Sequence, residues 1–270
     1  MVANADVLVR STVRIEGMLD GRVTQYGSGV LMAYYVGEGQ SSFMLIVVTN
    51  KHVVKGADQV RYTIQSKQDR IPIRSHVPAG SIVHHPNPDI DLCVLPVPDA
   101  LAKAEFHNAA FISSRDIYSV EQLADLTAIE NVIMIGYPNG LIDQSNLYPI
   151  ARKGITATPA FADHNGAPEF MIDCACFPGS SGSPVFILDQ GYYTDKNNDF
   201  QFGKTRFGLL GFMYAGPVLN QIGKVVAQAP PDDLADMVEV PLMMNLGYVV
   251  KANQLHEMVR DLLKVAVQLD

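Results

Sequence analysis

The stretch SFMLIVVTNKHVV, Ser42–Val54, holds the reading that decides the fold. Its first eight residues, Ser42–Thr49, are almost wholly apolar and rich in β-branched and aromatic side chains, and a turn signal follows at once, so they read as a strand. Runs of the same kind lie on both sides: VLVRSTVRI (Val7–Ile15) and GVLMAYYV (Gly29–Val36) before it, QVRYTIQ (Gln59–Gln65), RIPIRSHV (Arg70–Val77) and DLCVLPV (Asp91–Val97) after it. Loops of Gly, Asp, Asn and Pro separate them. Short strands with turn signals and almost no helix predict a sandwich or barrel.

The pattern breaks between Asp99 and Glu130. There Ser119, with Gln122 three residues on, fits a capping box that opens a short helix through about Leu126. Strands then resume at Asn131–Tyr137, Ala151–Thr158, Glu169–Cys176, Ser183–Leu188, Phe207–Tyr214 and Leu246–Ala252. The expected architecture is therefore all-β, a double β-barrel with a C-terminal α-helix. An N-terminal half spans 1–118 and a C-terminal half 119–270, within one domain. The helix is read from Leu255, Met258, Val259, Leu262 and Ala266 on one face, with Asn253 as its N-cap.

Composition narrows the function. The chain has 270 residues, 48% of them apolar, 18% charged, and a net charge of −8. An acidic chain without a basic run is a poor match for nucleic-acid backbones. No apolar stretch approaches the roughly 20 residues needed to cross a bilayer, so neither nucleic acid nor membrane is an expected partner. Three cysteines make no disulfide framework. Asp6, Arg10, Arg14 and Glu16 interrupt every apolar stretch near the start, unlike a secretory signal, and a cytoplasmic location is the expectation.

Three segments carry chemistry. CFPGSSGSPVF, Cys176–Phe186, sets a glycine-flanked serine just before an apolar strand, making Ser181 a candidate nucleophile. The N–H groups of Gly179 and Ser181 are then candidates for an oxyanion hole. Taken alone the segment reads as a Gly/Ser turn. A serine needs a base, and His52 ends an apolar strand, where a satisfied core histidine is the usual explanation. Asp91 in HHPNPDIDLCVLPV, His84–Val97, offers a carboxylate to orient the imidazole. Together the three run in the order His, Asp, Ser, the order that goes with a double barrel.

With these residues in hand, the chain resembles the chymotrypsin-like serine peptidases, and is most similar to the bacterial branch that includes the high-temperature-requirement peptidases. TNKHVV, DIDLCVLPV and PGSSGSPVF resemble that branch's three motifs. YGSGVLM, MIGYPNG, GITAT and LGYVVKANQLHEMV add smaller matches in order along the chain. The resemblance implies His52 as general base, Asp91 as its partner, Ser181 as nucleophile, a polypeptide as substrate and no cofactor. It further implies Ala175 at the base of the primary specificity pocket, with Met213 or Tyr214 narrowing it. A neutral pocket of this kind takes small or medium apolar residues.

The chain departs from the pattern at two positions. Ser180 stands where the digestive members carry an aspartate that pairs with a cleaved N-terminus. Ser183 replaces the motif's second glycine, and would be strained if its φ were positive. These departures support the alternative of a peptide-binding or regulatory relative with little or partner-gated turnover. No peptide-binding domain follows the helix, so a stand-alone peptidase is expected. Sequence leaves the oligomeric state open. His84, His85, Asp89 and Asp91 match no metal motif and read as a solvated loop. Asp195–Asp199 reads as a hairpin tip rather than a calcium loop, and no metal is expected. Cys174 and Cys176, alternating on a predicted strand, should face opposite ways.

Overall fold

A computed structural model describes residues 5–36, 42–65, 72–98, 109–224 and 237–267. Its first half is one curled sheet of β1 (Thr12–Leu19), β2 (Arg22–Val36), β3 (Ser42–Thr49), β4 (Gln59–Gln65), β5 (Pro72–Pro78), β6 (Val83–His84), β7 (Cys93–Pro96) and β8 (Ile112–Ser113). The order is β5-β4-β1-β2-β3-β7-β6, with β8 added in parallel to β2. The second half contains β9 (Asn131–Gly136), β10 (Ile150–Thr156), β11 (Glu169–Asp173), β12 (Pro184–Asp189), β13 (Tyr192–Thr194), β14 (Phe200–Phe202), β15 (Arg206–Ala215), β16 (Val218–Lys224), β17 (Met237–Met243) and β18 (Leu246–Lys251). Six of these close a barrel, β10-β11-β18-β15-β12-β9, while β13–β14 and β16–β17 form separate two-stranded ribbons.

Burial on both faces explains the continuous apolar runs. Along β2, Leu31 and Ala33 enter the core of the first sheet, while Val30, Met32 and Tyr34 enter a core shared by the two halves. Along β3, Leu45 and Val47 face one way, Ile46 and Val48 the other. The shared core takes Ile135 from β9, Phe186 from β12, and Leu209 and Phe212 from β15. Val132, Met134, Val185, Ile187 and Leu210 fill the closed barrel instead. Alternate residues of the same strands thus glue the halves together and fill each half.

Among the described residues four α-helices accompany the strands: α1 (Ala5–Ser11), α2 (Lys51–Val54), α3 (Val120–Ala124) and α4 (Gln254–Val267). The capping box at Ser119 forms as read: its hydroxyl accepts from Gln122 N–H and the Gln122 side chain accepts from Ser119 N–H. Leu255, Met258 and Val259 of α4 are buried in the shared core, whereas the side chains of Leu262 and Ala266 lie outside the described residues. No described helix is long and apolar enough to cross a membrane.

Three expectations change. Val7–Ile15 is not one strand, because Ala5–Ser11 is helical. Leu8 and Ser11, three apart, are its buried positions, and the hydroxyls of Ser11 and Thr12 both donate to Leu8 O, ending the helix where β1 begins. Tertiary packing overrides the β propensity of its valines. The strand read through Cys176 stops at Asp173, so Cys174 and Cys176 do not alternate across a sheet, and both thiols are buried in the barrel core. The His84–Asp91 loop is not wholly solvated: His85 is buried, its Nδ1 accepting from Asn87 N–H at 3.1 Å.

Candidate active site

α2 is a single turn launched from the end of β3. Its N-cap Asn50 is buried and extended, and makes no cap bond with its side chain. That side chain donates instead to Asp91 O at 2.6 Å, drawing in the chain segment that carries the carboxylate. The turn buries Val53 and Val54 and sends His52 outward. Val53 sits directly on Gly27, where a Cβ would lie 2.4 Å from its Cγ1.

Asp91 meets His52 with both oxygens. Oδ2 lies 2.5 Å from ring Nδ1, and Oδ1 accepts from His52 N–H at 3.1 Å. Burial alone would raise the Asp91 pKa. The hydrogen bond from the His52 ring, the charge of that ring and the N–H groups of His52 and Lys51 outweigh burial and hold it below the usual carboxylate range. With a carboxylate against Nδ1, the imidazole proton belongs there, and Nε2 keeps the lone pair a base needs.

The serine turn is fixed by its backbone. Ser180 N–H donates to Phe177 O, Ser183 N–H to Ser180 O and Gly182 N–H to Met213 O. Gly179 and Gly182 have φ of 81° and 82°. Ser183 is not among the positive-φ residues, so the replacement of the second glycine brings no backbone strain. Its hydroxyl is buried without a partner, above Gly136, where a Cβ would fall 1.9 Å from Ser183 Oγ.

Two N–H groups are left over. Those of Gly179 and Ser181 donate to no acceptor among the described residues. Pro178 O accepts from Asn139 N–H at 2.6 Å. In a trans peptide C=O and N–H point opposite ways, so pinning that carbonyl on Asn139 turns the Gly179 N–H outward. Only glycine suits the position, because a Cβ on Gly179 would stand 2.6 Å from Asn139 N.

Ser28 of β2 joins the halves at this point. Its N–H donates to Ser181 O, its hydroxyl donates to Gly179 O and accepts from Tyr137 N–H, and its own carbonyl accepts from Thr49 Oγ1. The serine turn is thereby seated against the end of β3, three residues before His52. The Ser181 hydroxyl itself donates to Tyr214 O at 3.2 Å and makes no hydrogen bond to His52.

Of the residues expected to line a specificity pocket, Ala175 is half-buried, Met213 is buried, and half-buried Tyr214 donates its hydroxyl to Glu169 Oε2 at 2.5 Å. Cys176 Sγ stands beside Gly247, where a Cβ would meet it at 2.6 Å and Met213 Cγ at 3.5 Å. Sequence reasoning missed Arg152, whose Nη1 donates to Ala175 O at 2.5 Å and Ser180 Oγ at 3.0 Å. The signal was available in ARKGITAT: Arg152, Gly154 and Thr156 share the inward face of β10, an unusual place for a cation. Among the described residues no group of three or more His, Cys, Asp or Glu could hold a metal ion. Asp195 caps its own hairpin tip, accepting from the N–H groups of Asn197 and Asp199 and from Gln201 Nε2.

A curled sheet and a closed barrel packed about a shared core, with the imidazole on one and the serine turn on the other, define the chymotrypsin-like fold. The sequence profile of the trypsin-like peptidase domain matches residues 27–194, more than half the chain, and the chain belongs to that family. A solved serine endoprotease from Yersinia pestis aligns with a TM-score of 0.52 at 16% identity, over 98% of this chain and 68% of its own. The protease domain of MamO from Magnetospirillum magneticum aligns with a TM-score of 0.46 at 12% identity, over 92% and 95%. No curated protein matches the sequence.

Proposed function

We propose that the chain is a serine endopeptidase working through an acyl-enzyme on polypeptide substrates. The observation that carries the reading is the doubly bonded Asp91–His52 pair beside a serine turn with two unspent N–H groups. In this reading the Ser181 hydroxyl swings off Tyr214 O toward the substrate carbonyl and gives its proton to His52 Nε2. Asp91 holds the imidazole and stabilises its cationic form. The tetrahedral oxygen lies between the N–H groups of Gly179 and Ser181, each worth roughly 10²–10³ in rate. Collapse passes the proton from His52 to the leaving amine, and water repeats the sequence to free the acid. The side chains of Ala175, Met213 and Tyr214 carry no charge for a substrate cation, which favours a small or medium apolar residue at the cleaved position. One methylene there is worth about 1–3 kcal/mol, so preference is broad.

A fluorophosphonate probe tests the reading. Wild-type protein is expected to label at Ser181 and to hydrolyse an unfolded protein. Ser181→Ala should lose labelling and about 10⁶ in kcat, with little change in Tm. Full peptidase activity in that variant would refute the mechanism. The bond from Ser181 to Tyr214 O favours a second reading, in which a bound partner or substrate must first release the hydroxyl. A lag or sigmoid substrate dependence would mark it.

A further inference from the structure

We propose that Arg152 is the positioning residue of the oxyanion turn, a cation built into the barrel wall that locks Ala175–Ser180 in the conformation exposing the Gly179 and Ser181 N–H groups. The proposal rests on the peptidase reading and adds to it the device that keeps the site formed.

One nitrogen does the bracing. Arg152 Nη1 donates to Ala175 O, where the loop enters, and to Ser180 Oγ, immediately before the nucleophile. Ser180 is fully buried, and its hydroxyl also accepts from Phe177 N–H at 3.4 Å. Three points of the loop are therefore tied through one guanidinium and one hydroxyl. The anchor is firm. Two residues along the same face of β10, a Cβ on Gly154 would lie 2.2 Å from Asp173 O, so the strand and the lead-in to the turn touch backbone to backbone.

The energetics argue against a mere filler. Nε and Nη2 of Arg152 are buried with no acceptor, and no described carboxylate pairs with the side chain. Burial of an unpaired cation is costly, and Met134, its β9 neighbour in register, shows that an apolar side chain fits this barrel interior. An apolar side chain at 152 would fill the space at less cost but would leave Ala175 O and Ser180 Oγ without the donor that orients them. With Pro178 O held on Asn139 from one side and Ser180 on Arg152 from the other, the peptide of Gly179 has no freedom to turn over.

The test compares wild type with Arg152→Met and Arg152→Lys in kcat, KM and amide hydrogen exchange across residues 175–183. The lock predicts that Arg152→Met loses about 10²-fold in kcat, the scale of one oxyanion donor, with KM nearly unchanged and faster exchange in the loop. Arg152→Lys, which keeps a cationic donor, should recover most of the kcat. A methionine variant with wild-type kcat and exchange overturns the proposal. So does a loss carried mainly in KM, or one that lysine does not relieve. If Arg152→Met fails to fold, Ser180→Ala removes one acceptor and should lower kcat about tenfold; an unchanged kcat there refutes the lock. If wild type takes no fluorophosphonate, it is the peptidase reading that falls. Loop exchange then decides alone: faster in the methionine variant upholds the lock, equal rates end it.

Discussion

Asp91 spends one oxygen on the His52 ring and the other on the His52 backbone, so the carboxylate fixes both the tilt of the imidazole and the turn that carries it. Asp91→Asn would present an amide N–H to Nδ1 and favour the wrong tautomer, with an expected loss of about 10⁴ in kcat. Its stability effect has a definite sign in pH. The folded pKa of Asp91 is depressed, so its contribution is complete above the free value of about 4 and is lost as pH falls through the folded value. Denaturation midpoints of wild type and Asp91→Asn should therefore differ at pH 7 and converge at low pH. Gly179→Ala places a Cβ 2.6 Å from Asn139 N at a φ of 81°. The turn must give way, and fluorophosphonate labelling should slow by about 10²-fold or more even where circular dichroism shows the fold intact.

At the scale of single elements, α3 is the cleanest case, since both halves of its capping box form. Ser119→Ala should cost about 1 kcal/mol in chemical denaturation and leave peptidase activity unchanged. That box was legible because its partners are three residues apart. β3 and β4 were legible to the residue because apolar runs end on turn signals. α1 was not, because valines and leucine in an extended-looking run became helical only through packing of Leu8 and the hydroxyl bonds of Ser11 and Thr12. The hairpin tip read at Asp195–Asp199 joins β13 to β14, whereas the ribbon β16–β17 escaped because it belongs to no closed or many-stranded sheet with a demanding pattern. The same division runs through the site. His52, Asp91 and Ser181 became candidates only through their order along the chain and the family resemblance, since each segment alone has a plain structural reading, whereas the hydroxyl of Ser181 on Tyr214 and the reach of Arg152 to Ala175 depend on partners 33 and 23 residues away.

Over the whole molecule, all three thiols are sealed. Cys93, Cys174 and Cys176 are buried, and burial raises the pKa of each, that of Cys176 to about 12. The native protein is expected to resist iodoacetamide with activity intact and to react only on unfolding, which mass spectrometry would show; rapid native alkylation would contradict the packing of the barrel core. Ser28 carries a consequence of another kind. It lies early in the chain, yet three of its bonds wait for Tyr137, Gly179 and Ser181, and the barrel that holds those residues closes only with β18. During synthesis at about 5–20 residues per second, the nascent polypeptide carries its imidazole for tens of seconds before the serine turn can dock beside it. On the proposed mechanism, a half-made chain on the ribosome therefore lacks the turn with which to cut its neighbours.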